Sequence, residues 1–303
     1  MAGRPLEIAL LLLLATLWAG SYGFIAVAVE TIPPVTLIAA RTLIAGGVLA
    51  AILPLRGLSL PRDRAMWRRL AAQSALSTVA PFLLIAWGQQ SVPSALAVIL
   101  SSTAPIFAFL AGLGLAWRGR GGAEGFSPRK GLGVLVGLLG VGLILGWEAL
   151  LAPPGNTLPM LALLAAGACF GFGAHVARGL AGTDPMIPAA GSLLCGAAVL
   201  LPASLLLERP WALSPSAASV AALLGLSLLS TALAVLIYFR LLRTLGVVGT
   251  TAQAYLRVPI GTALGVLLLG ESMTGAAWIG LALVMAGVAA MTLPERRHPA
   301  EKG

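Results

Sequence analysis

Long runs of apolar residues, separated by short polar segments, dominate the chain. A helix needs roughly 20 apolar residues to cross about 30 Å of hydrocarbon. The pattern predicts ten such spans, at 5–29, 33–55, 70–89, 93–116, 129–147, 159–178, 185–207, 216–240, 247–269 and 274–293. The first run continues to Val29, which favours a membrane helix over a cleaved signal peptide. Prolines at Pro33-Pro34, Asp184-Pro185 and Ser214-Pro215 mark helix starts, where the first turn has no use for an N–H. We therefore expect an all-α polytopic membrane protein.

The composition indicates that lipid surrounds part of the protein. The 303 residues are 59% hydrophobic and only 10% charged, with a mean hydropathy of +0.98, whereas a soluble domain carries about 25% charged residues. The net charge of +9 comes from short basic blocks between apolar runs, which favours loops at an anionic membrane face over a nucleic-acid partner. Cys169 and Cys195 lie inside apolar runs, so no disulfide, metal or cofactor is expected.

The basic residues also predict the orientation. With a cytoplasmic N-terminus, 16 of the 19 Lys and Arg residues fall on the inner side, as the positive-inside rule requires. The outer loops carry Glu30, Glu148, Glu208 and Glu271 instead. Both termini are therefore expected in the cytoplasm, and helix ends are named below as predicted inner or predicted outer on this basis.

Landmark residues recur in corresponding spans of the two halves. Trp18 in the first span matches Phe170 in the sixth, and Pro105 in the fourth matches Pro259 in the ninth. Each half holds five spans, an odd number, so the second half must cross the membrane in the opposite direction. Inverted repeats around a midplane site are typical of transporters. The expected halves are 1–150 and 151–303.

These residues, taken in order, resemble the paired EamA modules of the drug/metabolite transporter superfamily. The matching features are Leu17-Trp18-Ala19-Gly20-Ser21, Cys169-Phe170-Gly171, Pro105, Pro259, Leu267-Leu268-Leu269-Gly270-Glu271, and the pairs Gly133…Gly140 and Gly280…Gly287. Trp117 departs from the pattern, because it stands where a glutamate would mirror Glu271.

The resemblance implies ten helices around a central cavity, with the fifth and tenth helices at the periphery. It also implies export of small metabolites, and this chain looks most like the bacterial amino-acid exporters, including the aromatic branch. Export of drugs or other metabolites by the same superfamily is the alternative. The expected location is the bacterial inner membrane, with the bilayer and a small-molecule substrate as partners and no protein partner inferred.

Two arginines lie inside predicted spans, where a charge is costly unless it meets water or a partner. Arg257 lies about ten residues, roughly 15 Å, into the ninth span. It either binds an anionic substrate group or bonds carbonyls that Pro259 frees. For Arg41, about 12 Å from the outer end, we expect the side chain to extend outward and pair with Glu30 or another outer glutamate.

Polar and aromatic residues near the midplane predict a substrate site. Pro105 and Pro259 are expected to kink their helices, for substrate access or as plain packing features. The candidate binding residues are Trp18, Tyr22, Ser101, Ser102, Phe170, Tyr255 and Arg257. An aromatic side chain in a membrane helix often only packs, so that reading stays open for Trp18, Tyr22 and Phe170.

Titratable chemistry inside the spans is sparse. His175 is the only histidine in a span and is either proton-linked or a packing residue near the interface. The predicted spans contain no central Asp or Glu, so we expect any energy coupling to avoid a buried carboxylate. No nucleophile–base, paired-acid or metal-ligand motif indicates an enzyme. A channel would need a continuous polar lining, whereas the polar residues cluster centrally.

Glycines on the fifth span predict close helix packing. Gly133-xxx-Gly137 and Gly142-xxx-Gly146 form small-residue faces. The sequence leaves open whether the neighbouring helix is internal or belongs to a second subunit.

Overall fold

A computed structural model describes residues 4–117, 128–145, 157–180, 182–244 and 253–292. Every regular element in these ranges is helical, and none is a strand. The helices are α1 (Arg4–Ala28), α2 (Pro34–Ile52), α3 (Arg64–Ser74), α4 (Ala80–Gly88), α5 (Ser94–Ser101), α6 (Ala104–Trp117), α7 (Pro128–Leu145), α8 (Thr157–Arg178), α9 (Met186–Leu207), α10 (Ala217–Leu224), α11 (Ala234–Thr244), α12 (Gln253–Leu268) and α13 (Gly275–Thr292).

Several of these elements follow one another along one axis and form longer membrane-spanning rods. A π-helical segment, π1 (Ala75–Val79), joins α3 to α4, and a second, π2 (Gly225–Leu233), joins α10 to α11. The third rod consists of α3, π1 and α4, and the fourth of α5 and α6. In the described part of the chain, seven helices are long and apolar enough to cross a membrane, and 256–268 and 275–290 form two shorter apolar helices. The protein is thus a helical, polytopic membrane protein.

Helix starts follow local capping chemistry. The third rod begins at Arg64 rather than near residue 70, because the Asp63 carboxylate accepts a hydrogen bond from the Met66 N–H at 3.0 Å. Ser216 caps α10 in the same way through the Ser219 N–H. Hydropathy alone placed the start of the third span too late, because the first turns of α3 are polar.

The fourth rod is interrupted at its centre. Helix α5 ends at Ser101, a turn follows at 102–103, and α6 begins at Ala104, immediately before Pro105. Pro259, its sequence counterpart, lies inside the continuous helix α12. The two prolines therefore have different local effects, although both were expected to kink their helices.

The helices pack in a defined set of pairs. Helix α2 packs on α9, α7 on α13, and α5 on α12. Helix α1 contacts α12 and the α10–π2–α11 rod, while α8 contacts α4, α5 and α6. The largest pairing joins α7 to α13, as close glycine packing predicted, so the neighbour of the fifth span is internal.

The α7–α13 crossing brings two backbones together at glycines. A Cβ atom added to Gly140 would lie 2.7 Å from the Gly280 carbonyl oxygen, and one added to Gly280 would lie equally close to the Gly140 oxygen. A side chain at either position would force the helices apart. A Cβ atom added to Gly142, by contrast, would meet nothing within 4 Å, and Gly146 lies outside the described residues.

Two glutamates cap helices of the first half at the predicted outer end. Glu208 accepts hydrogen bonds from the Val35 and Thr36 N–H groups of α2, at 3.1 and 2.6 Å. Glu271 accepts from the Ser94 and Ala95 N–H groups of α5, at 2.6 and 2.8 Å. A carboxylate suits the positive end of a helix dipole, so both contacts tie helix N-termini to chain segments about 170 residues away.

Buried apolar side chains fill the space beside these caps. Ile25, Leu37, Ile38, Ala86 and Val92 lie within a few residues of the predicted outer helix ends, and each is at most 4% exposed. Apolar side chains therefore pack closely beside the caps, while a separate apolar cavity of about 360 Å³ lies between α1, α5, π2 and α12.

The predicted inner end is joined by side-chain ion pairs. Glu7 contacts Arg240 at 3.3 Å and accepts a hydrogen bond from the Thr244 hydroxyl at 2.7 Å. Asp184 pairs with Arg243 at 2.9 Å. Both arginine side chains are more than half exposed, so these contacts lie near the surface.

Candidate substrate-binding cavity

A central cavity of about 290 Å³ lies between α1, α2, α8, α9, α12 and the two π-containing rods. Its lining residues are Trp18, Ser21, Tyr22, Ile25, Arg41, Ser77, Thr78, Phe82, Ile85, Phe170, Ala189, Ser192, Leu193, Ser230, Thr231, Val235 and Arg257. The size and the mixture of apolar walls with a few polar groups suit a small organic molecule.

Aromatic rings form much of the apolar wall. Trp18 and Tyr22 lie one turn apart on α1, and Phe170 on α8 faces Phe82 with ring centroids 6.4 Å apart. The ring centroids of Trp18 and Tyr238 lie 5.5 Å apart. Sequence reasoning missed Phe82, because one phenylalanine in an apolar span gives no signal of which way it faces.

Arg257 joins the central cavity to a neighbouring side cavity. The side cavity has a volume of about 230 Å³ and is also lined by Ser102, Pro105 and Phe170. The Arg257 Nη2 donates a hydrogen bond to the Ser102 hydroxyl at 3.2 Å, and its buried Nε has no partner among the described residues. Among the described residues, the guanidinium thus contacts a side chain at the end of α5.

Arg41 corrects the sequence-based expectation. The side chain does not extend outward to Glu30; the residue is 5% exposed and lines the central cavity. Its Nε donates to the Thr231 hydroxyl at 3.0 Å, and its guanidinium carbon lies 3.8 Å from the centre of the Phe82 ring. The Arg41 guanidinium thus contacts a hydroxyl and an aromatic face near the midplane instead of a distant outer glutamate. The cavity therefore contains two arginines.

Ser101 and Ser102 play different local roles. The Ser101 and Tyr22 hydroxyls lie 2.6 Å apart, and Ser101 is completely buried beside the central cavity rather than in its lining. Ser102 lines the side cavity, and its hydroxyl donates to the Val98 carbonyl at 2.6 Å. Both lie at the turn that separates α5 from α6.

The remaining predicted residues are His175 and Tyr255. His175 contacts the Ala108 carbonyl oxygen of α6 at 2.8 Å through Nε2 and is outside the lining of the central and side cavities. The Tyr255 side chain falls outside the described part of the structure. A proton-linked role for His175 and a binding role for Tyr255 stay predictions.

The π-helical segments were not predicted. Each contains the tripeptide Leu-Ser-Thr, at 76–78 in π1 and 229–231 in π2, and the serine and threonine of each line the central cavity. A π turn widens the helix and is frequent at functional sites. The repeated tripeptide was a visible signal, but hydropathy does not distinguish a π turn from an α turn.

An inner cavity extends the central one toward the predicted inner end. It has a volume of about 320 Å³, shares Ala189 and Ser192 with the central cavity, and reaches Leu180, Thr183 and Pro185 between α8 and α9. The path from the cavity therefore runs toward the end that the surface ion pairs occupy.

No described acidic residue lines the central, side or inner cavity. Within the described ranges there is also no group of His, Cys, Asp and Glu side chains that could hold a metal ion. The polar chemistry of the site rests on hydroxyls and two guanidinium groups.

A polytopic helical bundle around such a cavity is typical of a membrane transporter. The chain belongs to the EamA-like transporter family, whose model matches residues 5–146 and 157–293. The inner membrane transporter YedA, named as uncharacterized, is a relative in Escherichia coli K12, and the same protein is found in strains O6:H1 and O157:H7. Each is 26% identical over 287 residues, which cover 94% of this chain and 90% of the relative.

A solved crystal structure shares the fold. It superposes with a TM-score of 0.65 at 22% sequence identity, covering 94% of this chain and 97% of the other. Together with the family and the inner-membrane relatives, the helices identify a multi-pass protein of the bacterial inner membrane.

Proposed function

We propose that this transporter exports small organic solutes by alternating access, with aromatic and large neutral amino acids as the first candidates. The observation that carries the proposal is the central cavity, where two arginines and four aromatic side chains line one space. Arg257 would bind a carboxylate, and Trp18, Tyr22 and Phe170 would contact the apolar body of the solute.

The proposed mechanism uses ten spans in two inverted five-helix halves, with both termini in the cytoplasm. Helix pairs support the repeat: α1 with α12 corresponds to α8 with α6, and α4 with α8 corresponds to α11 with α1. Three pairs, α2–α9, α5–α12 and α7–α13, each join helices from corresponding spans, since α5 and α6 together form the fourth span and α12 lies in the ninth. A two-fold axis in the membrane plane produces this pattern, and two such halves can rock about a central site.

The position of the inner cavity supports the proposed direction. Buried apolar side chains pack beside the Glu208 and Glu271 caps at the predicted outer end, and the inner cavity reaches the predicted cytoplasmic loops. A conformation with access from the cytoplasm loads substrate there, which supports export. Because no described acid lines the path, we propose that coupling avoids a buried carboxylate, as in facilitated diffusion or exchange.

Uptake of radiolabelled amino acids into liposomes tests the proposal. We expect saturable uptake of phenylalanine, tryptophan or leucine by the wild-type protein. Arg257→Ala removes the group proposed to bind the carboxylate and should lower uptake about tenfold or more, since a hydrogen bond to a charged group contributes about 1.5–3 kcal/mol. Trp18→Ala should raise the KM for aromatic solutes most, because it removes part of the apolar wall.

Surface substitutions of the same residue types provide the controls. Arg62→Gln and Trp211→Ala alter exposed side chains outside the cavities and should leave uptake unchanged. Wild-type uptake by Arg257→Ala and Trp18→Ala would place the binding site elsewhere. If no amino acid enters the liposomes, amino acids are not the substrates, and other metabolites or drugs replace them.

A further inference from the structure

Two guanidinium groups line the central cavity without an acidic partner. Arg41 reaches it from α2 and Arg257 from α12. The described acidic residues all lie elsewhere: Glu7, Glu30, Asp63, Asp184, Glu208 and Glu271. Arginine stays protonated near neutral pH, so the cavity has an excess of positive charge.

The contacts of both arginines are with neutral groups. Arg41 bonds the Thr231 hydroxyl and lies on the Phe82 ring, and Arg257 bonds the Ser102 hydroxyl. These contacts orient the guanidinium groups, and no acidic side chain in the described ranges compensates their charges. Two like charges in a membrane interior are unfavourable unless an anion or water joins them.

Hydrogen-bonding capacity remains available around the cavity. Arg257 Nε is buried and unpaired among the described residues, and so is the hydroxyl of Ser230, which is 1% exposed and lines the cavity. Of the Arg41 guanidinium nitrogens, only Nε has a hydrogen-bond partner in the described part of the chain. An acid group of a solute could accept hydrogen bonds from several of these donors at once.

The same cavity offers nothing to pair with a positive charge. An amino acid at neutral pH would bring an ammonium group beside two guanidinium groups and no described carboxylate. The hydroxyls and aromatic faces can contact an ammonium group but cannot offset that repulsion. Net charge is therefore the property by which this cavity should discriminate among solutes of similar shape.

Building on the proposed transport function, we propose that the preferred substrates are organic anions: aromatic or large apolar acids without a positively charged group. The acid group binds between Arg41 and Arg257, and the apolar body lies against Trp18, Phe82 and Phe170. An amino acid binds more weakly than the acid that shares its carbon skeleton. Arg41 is thus a specificity-determining residue in addition to Arg257.

Three solutes with one aromatic skeleton test this proposal at pH 7.4. They are 3-phenylpropanoate, with a carboxylate only, phenylalanine, with both charges, and phenethylamine, with an ammonium group only. Equilibrium binding is measured by calorimetry with the purified protein in lipid nanodiscs, and uptake is measured separately in liposomes. We expect 3-phenylpropanoate to bind at least about tenfold more tightly than phenylalanine, and phenethylamine to bind weakest.

The outcomes separate the two proposals. Equal or tighter binding of phenylalanine or phenethylamine would overturn the anion preference, while uptake of either would leave the transport proposal standing. Binding in the expected order without uptake would support the anion site and contradict transport of these solutes. No binding of any of the three, or equal competition by the same concentration of chloride, would overturn the organic-anion site.

Variants of Arg41 provide a second test. Arg41→Gln should weaken binding of 3-phenylpropanoate about tenfold or more and should not weaken phenethylamine binding, whereas Arg41→Lys should restore part of the preference. Arg62→Gln removes the same charge at an exposed site and should change neither. Equal weakening of all three solutes by Arg41→Gln would indicate a structural role and contradict the assignment. If a variant fails to fold, the order in which the wild-type protein binds the three solutes still tests the anion preference.

Discussion

At the predicted outer end, Glu208 and Glu271 accept hydrogen bonds from main-chain N–H groups, whereas at the predicted inner end Glu7 and Asp184 pair with arginine side chains. The outer contacts join a fixed carboxylate to a fixed helix N-terminus. The inner contacts depend on long side chains that are more than half exposed on the arginine side. The inner cavity extends the central one toward the predicted inner end, while a separate apolar cavity of about 360 Å³ lies between α1, α5, π2 and α12 near the predicted outer end.

The difference shows that the contacts at the two ends contribute unequally to stability. Exposed ion pairs contribute little to stability, because water competes and long side chains lose conformational freedom. A carboxylate bonded to two N–H groups at a helix N-terminus contributes more. The closed end therefore has the stronger contacts, and the end reached by the cavity has the weaker ones.

The largest expected effect comes from removing both outer carboxylates. Glu208→Gln combined with Glu271→Gln should lower the free energy of unfolding by about 2–3 kcal/mol, since each loses two charge-assisted hydrogen bonds. It should also loosen the outer closure. A cysteine placed at Ile25, which is 2% exposed and lines the cavity near this end, should then react with an impermeant thiol reagent from outside.

Thermal unfolding in detergent and labelling of cells check both effects, after Cys169 and Cys195 have been changed to alanine. Glu30→Gln is the matched control, because Glu30 is an exposed glutamate at the same end. An unchanged unfolding midpoint together with an unreactive cysteine at position 25 would show that the caps do not hold this end closed.

An intermediate effect is expected at the inner end. Glu7→Gln should lower the free energy of unfolding by about 1 kcal/mol, because it weakens the contact to Arg240 and the hydrogen bond from Thr244. Thermal unfolding measures the change, and labelling at Ile25→Cys from outside should stay at the wild-type level. Increased labelling would mean that the two ends are not closed independently.

The smallest effect is expected for the most exposed pair. Arg243→Gln removes the partner of Asp184 but keeps the hydrogen bond from the Met186 N–H to that carboxylate. The free energy of unfolding should change by less than about 0.5 kcal/mol. A loss as large as that of the double outer variant would contradict the ranking of the two ends.

The sequence predicted those features that depend on hydropathy and local chemistry. Most helix bounds fall within a few residues of the expected spans, because apolar length and proline position determine where a membrane helix begins and ends. Trp18, Phe170 and Arg257 line the central cavity, where their mid-span depth and repeat positions had suggested a site.

Features that depend on how a helix is rotated were missed. Helix α2 is apolar on nearly every side, so its sequence does not indicate that Arg41 faces inward. The partners of Glu208 and Glu271 were also out of reach, since each contact joins helix ends about 170 residues apart. The depth of a residue in the membrane can be predicted by counting residues along its helix. Which residues of other helices it contacts depends on how the helices pack.

The π segments have a consequence for how helix faces are assigned from the sequence. A π turn holds about one residue more than an α turn, so the residues after each segment lie about 100° away from the face that regular α-helical counting assigns to them. Under the proposed repeat, π1 and π2 stand at corresponding places and carry the same Leu-Ser-Thr tripeptide. The same offset is therefore expected in both halves, directly after the serine and threonine that line the central cavity.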